Sequence, residues 1–107
     1  MEDLTQEEWI KRLNEAENPV LLDVRTPNEW EEGVIENAVL LDIMDTEHFM
    51  EKVSEMDTEK PYFIYCRSGN RSGQACRYMD SKGFINTYNL LGGMLEWDGE
   101  LKDYNHE

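Results

Sequence analysis

The stretch Pro61 to Gly83, PYFIYCRSGNRSGQACRYMDSKG, constrains the fold of this chain more than any other. Tyr62, Phe63, Ile64 and Tyr65 form a short apolar run of aromatic and β-branched residues, the pattern of a buried strand. The stretch ends as a helix. Ala75, Cys76 and Met79 share one face, Lys82 sits in the last turn, and Gly83 falls where a left-handed residue closes a helix. Phe84 is then placed against Met79. Between strand and helix lies a polar loop that opens on Cys66 and runs through Arg67, Ser68, Gly69, Asn70, Arg71 and Ser72.

A strand, a loop and a helix in that order aim backbone N–H groups inward at the helix N-terminus and make an anion nest. The helix dipole adds about half a positive charge, and Arg67 and Arg71 add two full ones. A thiol in that field ionises below its ordinary value, and the thiolate is the reactive form. Cys66 therefore reads as a nucleophile rather than a small packing residue.

The segment YCRSGNRS resembles the active-site loop of rhodanese-like domains, a family of sulfurtransferases. LLDVRTPNE at 21–29 with Gly33-Val34-Ile35 is similar to that family's first strand and turn, and Leu91-Gly92-Gly93 with Trp97 to its closing segment. The resemblance covers roughly residues 20 to 98. It departs at Val34, where many members carry His, and in the tail LKDYNHE, to which the family pattern assigns nothing. It implies one rhodanese-like α/β domain over residues 1–107, with a mostly parallel five-stranded central sheet and helices on both faces. The spacing from Cys66 to Arg71 is C-x4-R. The resemblance implies that this loop encloses one transferred sulfur, whereas related phosphatases and some arsenate reductases use C-x5-R. One residue adds about 3.5 Å of chain, a large change in a cup built for a few atoms.

The expected reaction is sulfur transfer from a small anionic donor such as thiosulfate to a thiol or cyanide acceptor, through a persulfide on Cys66. Arg67, Ser68, Gly69, Asn70, Arg71 and Ser72 are the expected substrate-binding loop, with Arg71 alternatively bracing it and Ser72 alternatively capping the helix. A persulfide carrier or interaction module with weak turnover, docking an acceptor protein, is the alternative. Asp23 and Arg25 end a near-continuous apolar strand, Val20 to Val24, and so lie on the edge of the sheet where ligands gather. They read as structural support, with Asp23 fastening loop backbone and Arg25 pairing with Glu29.

Length and charge set the remaining bounds. A chain of 107 residues suits a single domain. Its formal net charge of −14 opposes binding to nucleic acid or to anionic membrane surfaces. No stretch is long or apolar enough to span a bilayer, and the acidic N-terminus is unlike a signal peptide, so a cytoplasmic location is expected. Cys66 and Cys76 lie about 7.5 Å apart along a helical axis, too far for a disulfide. No metal and no cofactor is expected, since His48 and His106 are isolated and no C-x-x-C is present.

Elsewhere the pattern predicts an amphipathic helix over 4–16, with Thr5 as N-cap, Glu8 at N3, and Trp9, Leu13 and Ala16 inward. It predicts a short helix near Pro27 and a strand at 39–43. A helix capped by Asp45 or Thr46 follows, carrying Phe49, Val53 and Met56. A strand at 87–91 and a short helix at 94–97 complete the pattern. Lys102 to Glu107 read as a frayed tail.

Overall fold

The computed structural model describes residues 1–104. Five parallel strands form its sheet: β1 (Glu2–Leu4), β2 (Val20–Asp23), β3 (Val39–Leu40), β4 (Pro61–Tyr65) and β5 (Asn86–Leu90), in the order β1-β5-β4-β2-β3. The helices are α1 (Gln6–Glu15), α2 (Pro27–Trp30), α3 (Thr46–Ser54), α4 (Asn70–Ser81) and α5 (Gly93–Glu96). This is the α/β architecture expected, with every strand pair parallel. Among the described residues, no helix is long and apolar enough to cross a membrane.

The alternation of side chains along β4 builds two cores. Tyr62 and Ile64 point to one face, where α3 and α4 bury Phe49, Val53, Ala75, Cys76 and Met79. Phe63 and Tyr65 point to the other, where Trp9 of α1 is fully buried. Trp9 meets the rings of Phe63, Tyr65 and Trp97 edge-on at 5.9, 6.3 and 6.1 Å. Edge-to-face pairs like these add about 0.5–1.5 kcal/mol each beyond area burial. A sheet covered on both sides explains why β2 and β4 read as unbroken apolar runs.

Helix ends follow the expected chemistry, with three corrections. The Thr5 hydroxyl accepts the Glu8 N–H at 3.3 Å, so the first helix begins at Gln6 rather than at residue 4. Leu4 belongs instead to β1, a strand the helical pattern concealed, because its three residues carry one apolar side chain. The strand expected over 39–43 pairs as a ladder only at Val39–Leu40. Beyond it, Leu41 N–H donates to Asp23 O and Ile43 N–H to Val24 O, so the chain still follows the edge of β2. The α4 terminus behaves as expected. Gly83 N–H donates to Asp80 O and Phe84 N–H to Met79 O, a Schellman ending.

The segment expected to fray from Lys102 is partly held. Lys102 exchanges two backbone hydrogen bonds with Val34, at 2.7 and 2.9 Å, as an antiparallel bridge. The Tyr104 ring lies 5.8 Å from that of Trp30. Residues 105–107, which include His106, lie outside the described residues.

Candidate active site

Cys66 directly follows β4, the central strand, at the carboxyl edge of the sheet. The loop then turns sharply into α4. Gly69 makes that turn as the N-cap, at φ +100°, where a Cβ would also press on Leu90 O at 3.2 Å. Only glycine adopts this conformation without strain. The first helical bond, Gly73 N–H to Gly69 O at 3.1 Å, fixes the loop on the helix. Ser72 is therefore the third residue of α4 and not its cap.

The loop wraps the sulfur. Gly69 N–H donates to Cys66 Sγ at 3.1 Å, and the Ser72 hydroxyl lies 3.3 Å from it. Burial pushes the thiol up. The Ser72 hydroxyl and the N–H groups of Ser72, Gly69 and Ser68 more than offset this, leaving Cys66 below its ordinary value. Hydrogen-bond donors, and not the arginine charges, dominate this balance. Cys76, with no such nest, is driven by burial to about 12. Both cysteines are free.

Cys66 is also 0% exposed, which the sequence did not foresee. The loop amides point inward at the sulfur and the side chain is covered. Behind it, Met94 N–H donates to Cys66 O and Leu95 N–H to Arg67 O, each at 3.0 Å. Gly93, at φ +51°, allows this seat. A Cβ there would stand 2.5 Å from Cys66 O and 2.6 Å from the Arg67 carbonyl.

Arg71 is tied to Glu29. Its Nη1 and Nη2 donate to the two Glu29 carboxylate oxygens, both at 2.8 Å. Glu29 also accepts the N–H and hydroxyl of Thr26. The Arg71 guanidinium, aided by Thr26 and opposed by burial, holds the Glu29 carboxyl at about 2. Arg67, Ser68 and Asn70 are exposed on the rim of the loop.

Asp23 and Arg25 form a buried ion pair at 2.7 Å. Arg25 further donates to Gly33 O and Glu29 O, and Asp23 Oδ1 accepts the Arg25 N–H. The pair fastens the 25–33 turn. The partner expected for Arg25, the Glu29 carboxylate, goes to Arg71 instead, so Arg25 reaches only that residue's carbonyl. One polar residue near the sulfur escaped the sequence reading. Asn89 of β5 is buried and contacts Ser72. Its signal was an amide in an otherwise strand-forming run, at a position the alternation turns inward.

Residues 6–100 match the rhodanese-like domain family. YtwF of Bacillus subtilis is 40% identical over 95 residues, covering 89% of this chain and 88% of its own. A sulfurtransferase from Allochromatium vinosum is 36% identical over 96 residues, covering 89% and 86%. The crystal structure of a rhodanese-like domain protein from Staphylococcus aureus superposes with a TM-score of 0.81 at 32% identity, over 98% of this chain and all of that one. More distant relatives include tRNA uridine(34) hydroxylases, of which this chain spans about a third. With a thiol cradled by loop amides at the end of the central strand and this extent of likeness, the chain belongs to the rhodanese-like domain family of sulfurtransferases.

Proposed function

We propose that this protein moves sulfane sulfur through a persulfide on Cys66. The observation that carries the reading is the ring of donors closed on Sγ by a C-x4-R loop. The Cys66 thiolate attacks the outer sulfur of thiosulfate. The new S–S bond forms as the old one breaks, and sulfite leaves with the bonding pair. The persulfide then carries its negative charge on the outer sulfur, where the inward amides of the loop stabilise it as an oxyanion hole stabilises oxygen. A thiolate or cyanide next takes the outer sulfur, and the electron pair returns to Sγ. Arg67, on the exposed rim, guides the anionic donor; Arg71 acts by holding the loop to α2 through Glu29.

Intact-mass measurement after incubation with thiosulfate tests this. The expected result is a gain of about 32 Da, removed by excess thiol and absent in Cys66→Ser. A Cys66→Ser protein that still forms thiocyanate at the wild-type rate overturns it.

The full burial of Cys66 favours a second reading, a persulfide carrier that yields its sulfur only when a partner opens the rim. A net charge of −14 suits a basic partner surface. Stoichiometric loading with negligible turnover of small donors supports the carrier; multiple turnover supports the enzyme.

A further inference from the structure

Behind the sulfur runs a chain of polar groups that neither the loop nor the persulfide chemistry requires. Ser72 Oγ lies 3.3 Å from Cys66 Sγ and 2.5 Å from Asn89 Oδ1. Asn89 Nδ2 donates to Asp3 Oδ1 at 2.8 Å and to Gly69 O at 3.0 Å. Asp3 and Asn89 are register partners on β1 and β5, so their side chains leave the sheet on the same side. Asp3 brings an acceptor, Gly69 O is an acceptor, and both face one end of the Asn89 amide. That end must be the NH2. The other end, facing Ser72, is therefore the carbonyl, and it has no proton to give.

The Ser72 hydroxyl has one hydrogen and two candidate acceptors. The two oxygens stand close with no other proton available to them, so while Cys66 is a neutral thiol that hydrogen lies toward Asn89. Ser72 then turns a lone pair toward Sγ. This arrangement suits a neutral thiol or a neutral inner persulfide sulfur, and it opposes a thiolate.

We propose that Asn89 is a positioning residue for the reaction of Cys66, deciding through Ser72 whether that single proton serves the Asn89 carbonyl or the sulfur. The proposal rests on the sulfur-transfer reading above for its role in turnover. When an acceptor takes the outer sulfur, the S–S bond breaks and its electron pair stays on Sγ. A charged sulfur now stands where a neutral one stood. Ser72 turns its hydrogen to Sγ, and the Asn89 carbonyl, buried at that point, loses its donor. Once the next sulfur is loaded, the charge moves to the outer atom and the hydrogen returns to Asn89. Asn89 thus opposes a lasting thiolate and favours the loaded state. The charged groups around this chain are Asp3 from β1, Arg77 from α4, whose Nη1 stands with Asn89 Nδ2 beside Gly73, Arg71 with Glu29 from α4 and α2, Asp42 beside Arg71, and Arg67 from the loop; the hydrogen bonds to Sγ come from Ser72 and loop amides alone.

Titration of the thiolate by its ultraviolet absorbance tests the proposal on the full chain, with no sulfur donor present. Asn89→Leu frees the Ser72 hydrogen, and the Cys66 midpoint is expected to fall by about half a unit or more. Ser72→Ala removes the donor and raises the midpoint. The double variant is expected to titrate as Ser72→Ala alone. Asp3→Ala, at an exposed edge position, leaves Gly69 O to hold the Asn89 NH2, and the midpoint is expected to change less than in Asn89→Leu. An unchanged midpoint in Asn89→Leu overturns the proposal. So does an Asn89→Leu shift that is the same with and without Ser72. Wild-type protein that takes up no sulfur from thiosulfate overturns the transfer reading instead, and leaves these midpoints to decide the role of Asn89.

Discussion

Replacing Glu29 with Gln tests how the active loop is held. The substitution keeps the shape of the side chain and removes its charge, so two charge-assisted bonds to Arg71 at 2.8 Å lose one partner's charge. The carboxyl titrates at about 2 rather than the ordinary 4.5. Fully counted, that depression corresponds to about 3 kcal/mol of stability. Glu29 and Arg71 retain 16% and 23% exposure, so solvent screening reduces it, and Gln keeps a weaker bond. The expected loss is about 1–2 kcal/mol at neutral pH. Because the carboxyl is depressed in the folded protein, this contribution is complete above pH 4.5 and disappears as the pH falls toward 2. Urea unfolding of both proteins across that range is the assay. At neutral pH the midpoints should differ by roughly 1 M, and the gap should close on acidification while other carboxylates affect both proteins alike. Equal midpoints at neutral pH, or a gap that persists to pH 2, refute the reasoning.

Two further substitutions and one labelling experiment follow. Gly93→Ala places a Cβ against the Cys66 and Arg67 backbone, which has no flexible end to give way. It should cost about 3 kcal/mol by urea unfolding. Gly83→Ala is the control: φ there is +94° with no atom within 4 Å, and the loss should be about 1 kcal/mol; equal losses would refute the clash. A small alkylating agent at pH 8 should modify native protein once, at Cys66, because both thiols are buried but Cys76 is held near 12 while the loop donors hold Cys66 below its ordinary value. Peptide mapping that finds Cys76 labelled first would contradict the electrostatics.

Much of this molecule was legible because its elements follow local rules. The β4–loop–α4 unit is contiguous, and its apolar run, polar loop and glycine ending each declare themselves. Thr5 and Glu8 announced the start of α1. What escaped depends on neighbours distant in sequence. Glu2–Leu4 is a strand only because β5 offers it an edge, and its pattern runs without a break into the helix that follows. Arg71 bonds Glu29, far upstream, through both of its terminal nitrogens, a partner that no local pattern declares. Asn89 shows its purpose only beside Ser72 and Asp3. The 102–104 segment lacks apolar periodicity, and its order comes from Val34 and Trp30.

The seat of α5 against the backbone of Cys66 and Arg67 has a consequence for biosynthesis. Cys66 enters the growing chain before Gly93, Met94 and Leu95, whose amides and close approach fix the carbonyls at the start of the loop. The thiol of a nascent chain is therefore present without its final surroundings. It acquires them only once α5 can dock, so products truncated before Gly93 lack the contacts that fix the Cys66 and Arg67 carbonyls.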